Sequence, residues 1–150
     1  VLKEACTSMV NTNAAQSTMI YGNQWDEVMD WLIQTGAKTS SEVNSNSSNW
    51  GNYNDYNTAN EYVEGNPLYV DRAGLYCESG YSENWKANNI YDLAGNHYER
   101  TQEAIYTNIR IRRGGNYTNE GVNNPASERA DNLPGYSNVL DSTRPVLYIK

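Results

Sequence analysis

The side chains able to do chemistry are few and scattered. His97 is the only histidine, and the two cysteines, Cys6 and Cys77, lie 71 residues apart. One histidine and two thiols are too few for a zinc site built from those ligands alone. As a general base His97 would need a positioned partner and a nucleophile, and no Ser/His/Asp spacing supplies them; it reads as a surface or scaffold side chain. The cysteines are either bonded or reduced and buried, since two alone give no disulfide framework. The densest chemistry is cationic. In Ile109-Arg110-Ile111-Arg112-Arg113 apolar and basic side chains alternate, which puts Arg110 and Arg112 on one face of a strand and Arg113 on the other. They form either a cationic ligand patch, with Arg112 the better candidate, or a salt-bridge lattice with the acidic N-terminal part.

The chain has 150 residues and a formal net charge of −7, with 22 Asn, 13 Tyr, 4 Trp and no Phe. That length predicts one domain over 1–150. No apolar run is long enough to cross a membrane, and no basic stretch leading into an apolar one suggests a signal peptide. The acidic balance argues against a nucleic-acid binder, which needs a dense cationic face. The charge is uneven: residues 1–103 carry net −9 and residues 104–150 net +2. Residue usage shifts at the same place. All Trp, Met and Gln lie at or before Gln102, and Lys recurs only as Lys150. An even spread would place about five of these four residue types in the C-terminal third; one is there.

The elements that must position these groups are legible in part. Val1–Val10 reads as a short helix with Leu2, Ala5, Cys6 and Met9 on one face. From about Gln24 to Thr35, Trp25, Val28, Met29 and Leu32 recur at helical spacing, with Asn23 as N-cap, Asp26 and Glu27 in the first turn and Gly36 after the end. Ser40–Gly80 is rich in Asn, Ser, Tyr and Gly and reads as long ordered loops with a few short strands, brief apolar pairs such as Leu68 and Val70, and Trp50 and Tyr53 pinned to the core. Ala94-Gly95-Asn96 is a turn signal before a strand at His97–Thr101, and further strands are expected at Ile109–Arg113 and Arg144–Ile149. Two early helices and late short strands with long loops make an α+β pattern.

Four ordered segments carry a resemblance. Asn89-Ile90-Tyr91-Asp92-Leu93-Ala94-Gly95-Asn96-His97-Tyr98-Glu99-Arg100-Thr101 resembles the Asn-hydrophobic-Tyr-Asp-(Leu/Met)-x-Gly-Asn-Val-Trp-Glu-Trp-Thr signature of the formylglycine-generating-enzyme-like (sulfatase-modifying factor) domain, a variant of the C-type lectin fold. Ile20–Asp26 is similar to the entry to its second helix, Asn49-Trp50-Gly51-Asn52 to its Trp-Gly-Asn turn, and Arg110–Tyr117 to its Arg-Val-x-Arg-Gly-Gly-Ser-Tyr strand and turn. Ser142–Leu147 resembles the closing Gly-Phe-Arg strand, and Arg113 and Arg144, at motif positions, read as structural. The departures are specific. Catalytic members carry a copper-binding cysteine pair after the Gly-Gly turn, where this chain has Asn119 and about Asn124. Without a thiolate for Cu(I) there, no copper and no oxidase activity are expected. Tyr98-Glu99-Arg100 replaces Trp-Glu-Trp, and the family's opening strand is missing, so that strand is lost or the chain belongs to a longer polypeptide or an oligomer. Its loss would leave the final strand unpaired on one edge.

The non-enzymatic relatives fit better. Variable proteins of diversity-generating retroelements use this domain as a scaffold for a hypervariable C-terminal third, and many are displayed on phage particles or bacterial surfaces. Adenine-directed mutagenesis of AAC codons never yields Trp, Met, Gln, Lys or Glu, which matches the shift in usage; Glu120 and Glu128 would have to be fixed or come from other codons, and the absence of Phe is unexplained. A codon or habitat bias toward Asn is the plain alternative. The resemblance implies a variable region at 104–141, with Pro125-Ala126-Ser127 embedded in it and contacts from Tyr106, Ile109, Arg112, Asn116, Thr118, Val122, Asp131, Leu133, Tyr136, Asn138 and Leu140 to a protein or glycan on a cell surface. Tyr and Asn suit such surfaces, giving contact area and adaptable hydrogen bonding. The resemblance also implies a Ca²⁺ site from the Asp92 and Glu99 side chains and the Gly95 and His97 carbonyls, a set of hard oxygen ligands. The plain alternative has Asp92 capping its turn and Glu99 paired with an arginine. The rival functions are an enzyme of the formylglycine-generating type and a structural domain of a phage tail or surface protein.

Overall fold

Apolar side chains at helical spacing between Trp25 and Leu32 build the element on which the rest is assembled. The computed structural model describes residues 1–55, 75–136 and 138–150. Among them the chain order is α1 (Leu2–Met9), β1 (Ala15–Met19), α2 (Gly22–Gln34), α3 (Ser40–Asn44), a 3₁₀ turn (Glu83–Trp85), β2 (Lys86–Ala87), β3 (Ile90–Tyr91), β4 (Tyr98–Tyr106), β5 (Ile109–Arg113), β6 (Arg129–Asn132), β7 (Asp141–Thr143) and β8 (Pro145–Ile149). The architecture is mixed α+β.

Trp25, Met29 and Leu32 of α2 are buried with Ile20, Val43, Trp50, Tyr53, Leu93, Ala94 and Ala126 in the main core, and Val28 packs on its margin. Each fully buried Trp contributes on the order of 2–3 kcal/mol. Trp50 and Tyr53 are pinned as expected, at 1% and 0% exposure. Burial of Trp indoles is tolerated because the Trp25 Nε1–H donates to the Ala126 carbonyl at 3.0 Å and the Trp50 Nε1–H to the Glu42 carbonyl at 3.1 Å.

Several expectations need correction. The N-cap of α2 is Tyr21, not Asn23: the Tyr21 N–H donates to Gln24 Oε1 at 3.0 Å, and the helix starts at Gly22. Asp26 therefore lies beyond the first turn and pairs with Arg113 and Arg129. Gly36 does follow the helix with φ +72°. On α1 only Cys6 is buried, and Met9 is 64% exposed. The stretch after Thr39 opens with a helix, because Thr39 and Glu42 form a reciprocal cap. Leu68 and Val70 lie outside the described residues. Cys6 and Cys77 are both buried and not joined in a disulfide.

The strand at Ile109–Arg113 is as expected, and β4 continues beyond Thr101 to Tyr106. They form the centre of a sheet in the order β6-β5-β4-β7, with β7 parallel to β4. β6 was not expected, and β7 takes up Ser142 and Thr143, which resembled the start of the closing strand, so that the one expected strand is divided into β7 and β8. The final strand β8 pairs antiparallel with β1, from Ala15 opposite Ile149 to Met19 opposite Pro145. β1, whose sequence Ala-Gln-Ser-Thr-Met shows little period, is the one partner of β8 in this two-stranded sheet, so the final strand is unpaired on its other edge among the described residues, as expected.

Between β3 and β4 the chain turns through Asp92, Gly95 and Asn96, all at positive φ. Gly95, at φ +69°, is crossed so closely by the chain at Asn52 that an added Cβ would stand 2.1 Å from the Asn52 carbonyl oxygen. At Gly36 the conformation is equally left-handed but nothing lies within 4 Å. Gly36→Ala is therefore expected to cost about 1 kcal/mol from backbone conformation alone, and Gly95→Ala at least about twice that, because backbone must also move. Urea denaturation of the two variants checks the difference.

Candidate functional site

The carbonyls and carboxylates of the C-terminal region decide what its loops can do. Arg100, near the start of β4, is 7% exposed and reaches three groups beyond its own strand. Its Nε and Nη2 donate to Asp141 Oδ2 at 2.9 and 2.6 Å, its Nη1 to the Leu133 carbonyl at 3.1 Å and its Nη2 to the Tyr136 carbonyl at 2.7 Å. Asp141 also accepts from Arg112 Nη1 at 3.1 Å. Arg112 lies over the Tyr98 ring, with its guanidinium carbon 4.1 Å from the centroid. One buried carboxylate is thus shared by two guanidinium groups, and through Arg100 it ties β4, β5, β7 and the backbone at Leu133 and Tyr136 together.

Of the eleven expected contact residues, Tyr106, Thr118, Val122, Asp131, Leu133 and Tyr136 are exposed, while Ile109, Arg112, Asn138 and Leu140 are half-buried. Asn116 is corrected: it is 2% exposed, and its Oδ1 accepts from the Thr118 N–H at 2.7 Å and the Thr118 hydroxyl at 2.8 Å, so it shapes the loop and cannot contact a ligand. Arg112, committed to Asp141 and Tyr98, is a structural member of the site. The register brings one group together. Tyr106 pairs with Ile109 across β4 and β5, and Asn132, just before Leu133, pairs with Arg110 across β5 and β6. Tyr136 and Asn138 share a cavity of about 600 Å³ with Arg110, Arg100 and Asp141. Thr118 and Val122 belong to a different loop, held by Asp55 Oδ1, which accepts from the Gly121 N–H at 3.0 Å, and by Asn54, whose Nδ2 donates to the Thr118 carbonyl.

Of the expected calcium ligands, Asp92, His97 and Glu99 line a second cavity of about 390 Å³, and Gly95 does not. Asp92 Oδ2 accepts from the Ser79 hydroxyl at 2.9 Å and the Gly80 N–H at 2.8 Å, while its buried Oδ1 has no partner. Glu99 gives both oxygens to Arg144, at 2.9 and 2.5 Å, and Arg144 Nη2 also donates to the Tyr91 carbonyl. Glu99 is thus paired with an arginine, which occupies two of its roughly four lone-pair sites, and the four expected ligands alone fall short of the six to eight oxygens that Ca²⁺ takes. Among the described residues no group of three or more His, Cys, Asp or Glu side chains is placed to hold a metal ion. His97 lies against Tyr117 and Tyr76, with ring centroids 6.0 and 6.4 Å away.

Burial pushes the Asp92 carboxyl above its usual range, against the Gly80 and Ser79 hydrogen bonds and the charges of Arg144 and His97. Burial likewise raises Glu99, opposed by Arg144, with the Asp92 charge adding to the rise. Sequence reasoning missed Arg100, Asp141 and Asn96. Asn96 Oδ1 accepts from the Cys77 N–H and Asn52 Nδ2, and its Nδ2 donates to the Cys77 carbonyl, so it joins three segments. Only the Gly-Asn turn signal marked its neighbourhood.

Comparison with protein-family models, curated proteins and solved structures gives no match.

Two expectations follow from this geometry. Asp141→Ala leaves two buried guanidinium groups without their carboxylate and is expected to cost about 3–5 kcal/mol, with amide exchange accelerating first between Leu133 and Leu140; denaturation and hydrogen exchange read both. For Asp92 the raised folded pKa means that stability falls as pH rises from about 4 through that value, because the unfolded carboxyl ionises first. Asp92→Asn removes this term. Its stability relative to the parent should therefore improve between pH 4 and pH 7, and a difference independent of pH would count against the buried, resisted ionisation.

Proposed function

We propose that this chain is a non-catalytic ligand-binding module of the C-type lectin fold, formylglycine-generating-enzyme-like type. It presents a diversified surface from residues 104–141, in the manner of a retroelement variable protein displayed on a phage particle or bacterial surface. Its partner is a protein or glycan on a cell surface. The observation that carries this reading is the way the C-terminal loops are held. Arg100 grips the carbonyls of Leu133 and Tyr136, Asn54 that of Thr118, and the Tyr53 hydroxyl lies 2.9 and 2.8 Å from those of Gly114 and Asn124. Leu133 and Tyr136 are fastened by main chain while their side chains face solvent. A surface built this way keeps its shape when those side chains change, which is what a diversified binding site requires. Exposed Tyr106, Val122, Leu133 and Tyr136 supply the apolar and aromatic area that recognition surfaces use.

The test is genetic. The 3′ part of the gene, compared with neighbouring sequence, should have a near-identical repeat that differs only at adenines, with a reverse transcriptase encoded nearby. Absence of both would sink the diversified reading. In the repeat pair the substitutions should fall on codons for the exposed positions and spare those for Asn116 and Asp141.

A further inference from the structure

The cavity beside Tyr136 gathers more positive than negative charge from the residues that line it. Five of the described arginines lie within 4.0 Å of a carboxylate: Arg100 and Arg112 on Asp141, Arg113 on Asp26, Arg129 on Asp26 and Glu103, and Arg144 on Glu99. Arg110 is the exception. Its Nη1 donates to the carbonyls of Tyr106, Thr107 and Ile109 at 3.2–3.3 Å, and its Nε and Nη2 have no partner among the described residues. Lys3 of α1, which lines the same cavity, also has no carboxylate partner among the described residues. The single carboxylate there, Asp141, is already shared by Arg100 and Arg112, so that buried triad itself carries an excess positive charge. On a chain of net charge −7 this is a local reversal of sign. The volume, about 600 Å³, is in the range of ligand pockets.

We infer that this cavity receives a carboxylate: an Asp or Glu side chain on an acidic segment of the protein partner, bound by the free edge of the Arg110 guanidinium and by Lys3. A guanidinium edge with two free donors matches a planar carboxylate in two-point fashion. Exposed Leu133 and Tyr136 beside it suit the apolar neighbours of an acidic side chain in a peptide. The inference deepens the binding-module reading and rests on it for the partner being a macromolecule.

The probe is an acetylated, amidated dodecapeptide of alternating Glu and Ala, with its Gln/Ala counterpart, titrated calorimetrically into the full chain at 150 mM NaCl. At that salt the Debye length is about 8 Å, so remote repulsion from the acidic part is largely screened. The Glu peptide should bind at least about tenfold more tightly than the Gln peptide. Arg110→Gln should weaken it about tenfold and Arg110→Lys less, since charge is kept but the fork is lost. Lys3→Gln, on an exposed helix position that leaves folding intact, should weaken it about threefold by loss of one partly screened charge. Arg129→Gln, remote and already paired, should change nothing. Equal affinity for the two peptides, or unchanged affinity in both Arg110→Gln and Lys3→Gln, overturns the inference. So does binding of glucuronate or a sialylated glycan through Arg110 with no binding of the Glu peptide. Peptide binding through Arg110 in a chain whose gene lacks the adenine-directed repeat would keep this inference and remove the diversified reading. A repeat without peptide binding would do the reverse.

Discussion

The structure depends on one kind of contact: side chains from the N-terminal two-thirds grip the main chain of the C-terminal third. Trp25, Tyr53, Asn54 and Arg100 reach the carbonyls at Ala126, at Gly114 and Asn124, at Thr118, and at Leu133 and Tyr136. A long segment with little regular structure cannot satisfy its own peptide groups, and each buried carbonyl left without a donor would cost on the order of 1–3 kcal/mol. Large polar side chains anchored in a hydrophobic core solve this without asking the segment to form helix or sheet. Trp25, Tyr53 and Arg100 can do so because each is itself immobilised, the first two at 0% exposure and the third by Asp141.

The ionic contacts follow the same logic. Asp141 holds Arg100 and Arg112, and Asp26 of α2 holds Arg113 and Arg129. In each case one carboxylate serves two guanidinium groups and joins elements far apart in sequence. The Asp141 pairs are buried, whereas Asp26 and Arg129 are half-exposed; buried pairs are weak sources of net stability, but removing one partner is costly. Their effect is to specify which segments lie together. Asn96 does equivalent work without charge, fastening the chain at Asn52 and Cys77 to the turn before β4.

Legibility in the sequence tracked the physical range of the signal. The α2 face and β5 were readable because helical and alternating periods are local, and the Gly36 stop and the turn at Gly95 because left-handed backbone favours glycine. β1 and β6 were not, nor β7 as a strand apart from β8, since Ala-Gln-Ser-Thr-Met, Arg-Ala-Asp-Asn and Asp-Ser-Thr have no period and become strands only through partners distant in the chain. The structural roles of Arg113 and Arg144 were legible from their motif positions. Those of Arg100, Arg112 and Asp141 were not, because a guanidinium on an alternating strand looks the same whether it meets solvent or a carboxylate fixed by another loop. Asn116 misled for a related reason: Asn serves equally as an exposed donor and as a buried turn-former, and here its Oδ1 accepts from Thr118.

Fastening by main chain also sets a limit on the alphabet that the loops accept. A carbonyl is common to all twenty residues, so the grips of Arg100 and Asn54 are blind to the side chain at Leu133, Tyr136 and Thr118. An N–H is common to nineteen. Where the loop is held through its amide, as Gly121 is by Asp55 and Ala126 by the Ser47 hydroxyl at 2.9 Å, proline cannot replace the native residue without losing the bond. Size narrows the choice further at Gly121, where an added Cβ would stand 2.4 Å from the Ser48 nitrogen. Thr118, Leu133 and Tyr136 are held by their nitrogen as well, donating to Asn116 Oδ1, Asn132 Oδ1 and the Leu133 carbonyl. There too proline alone is excluded by the backbone, whereas at Gly121 any side chain is.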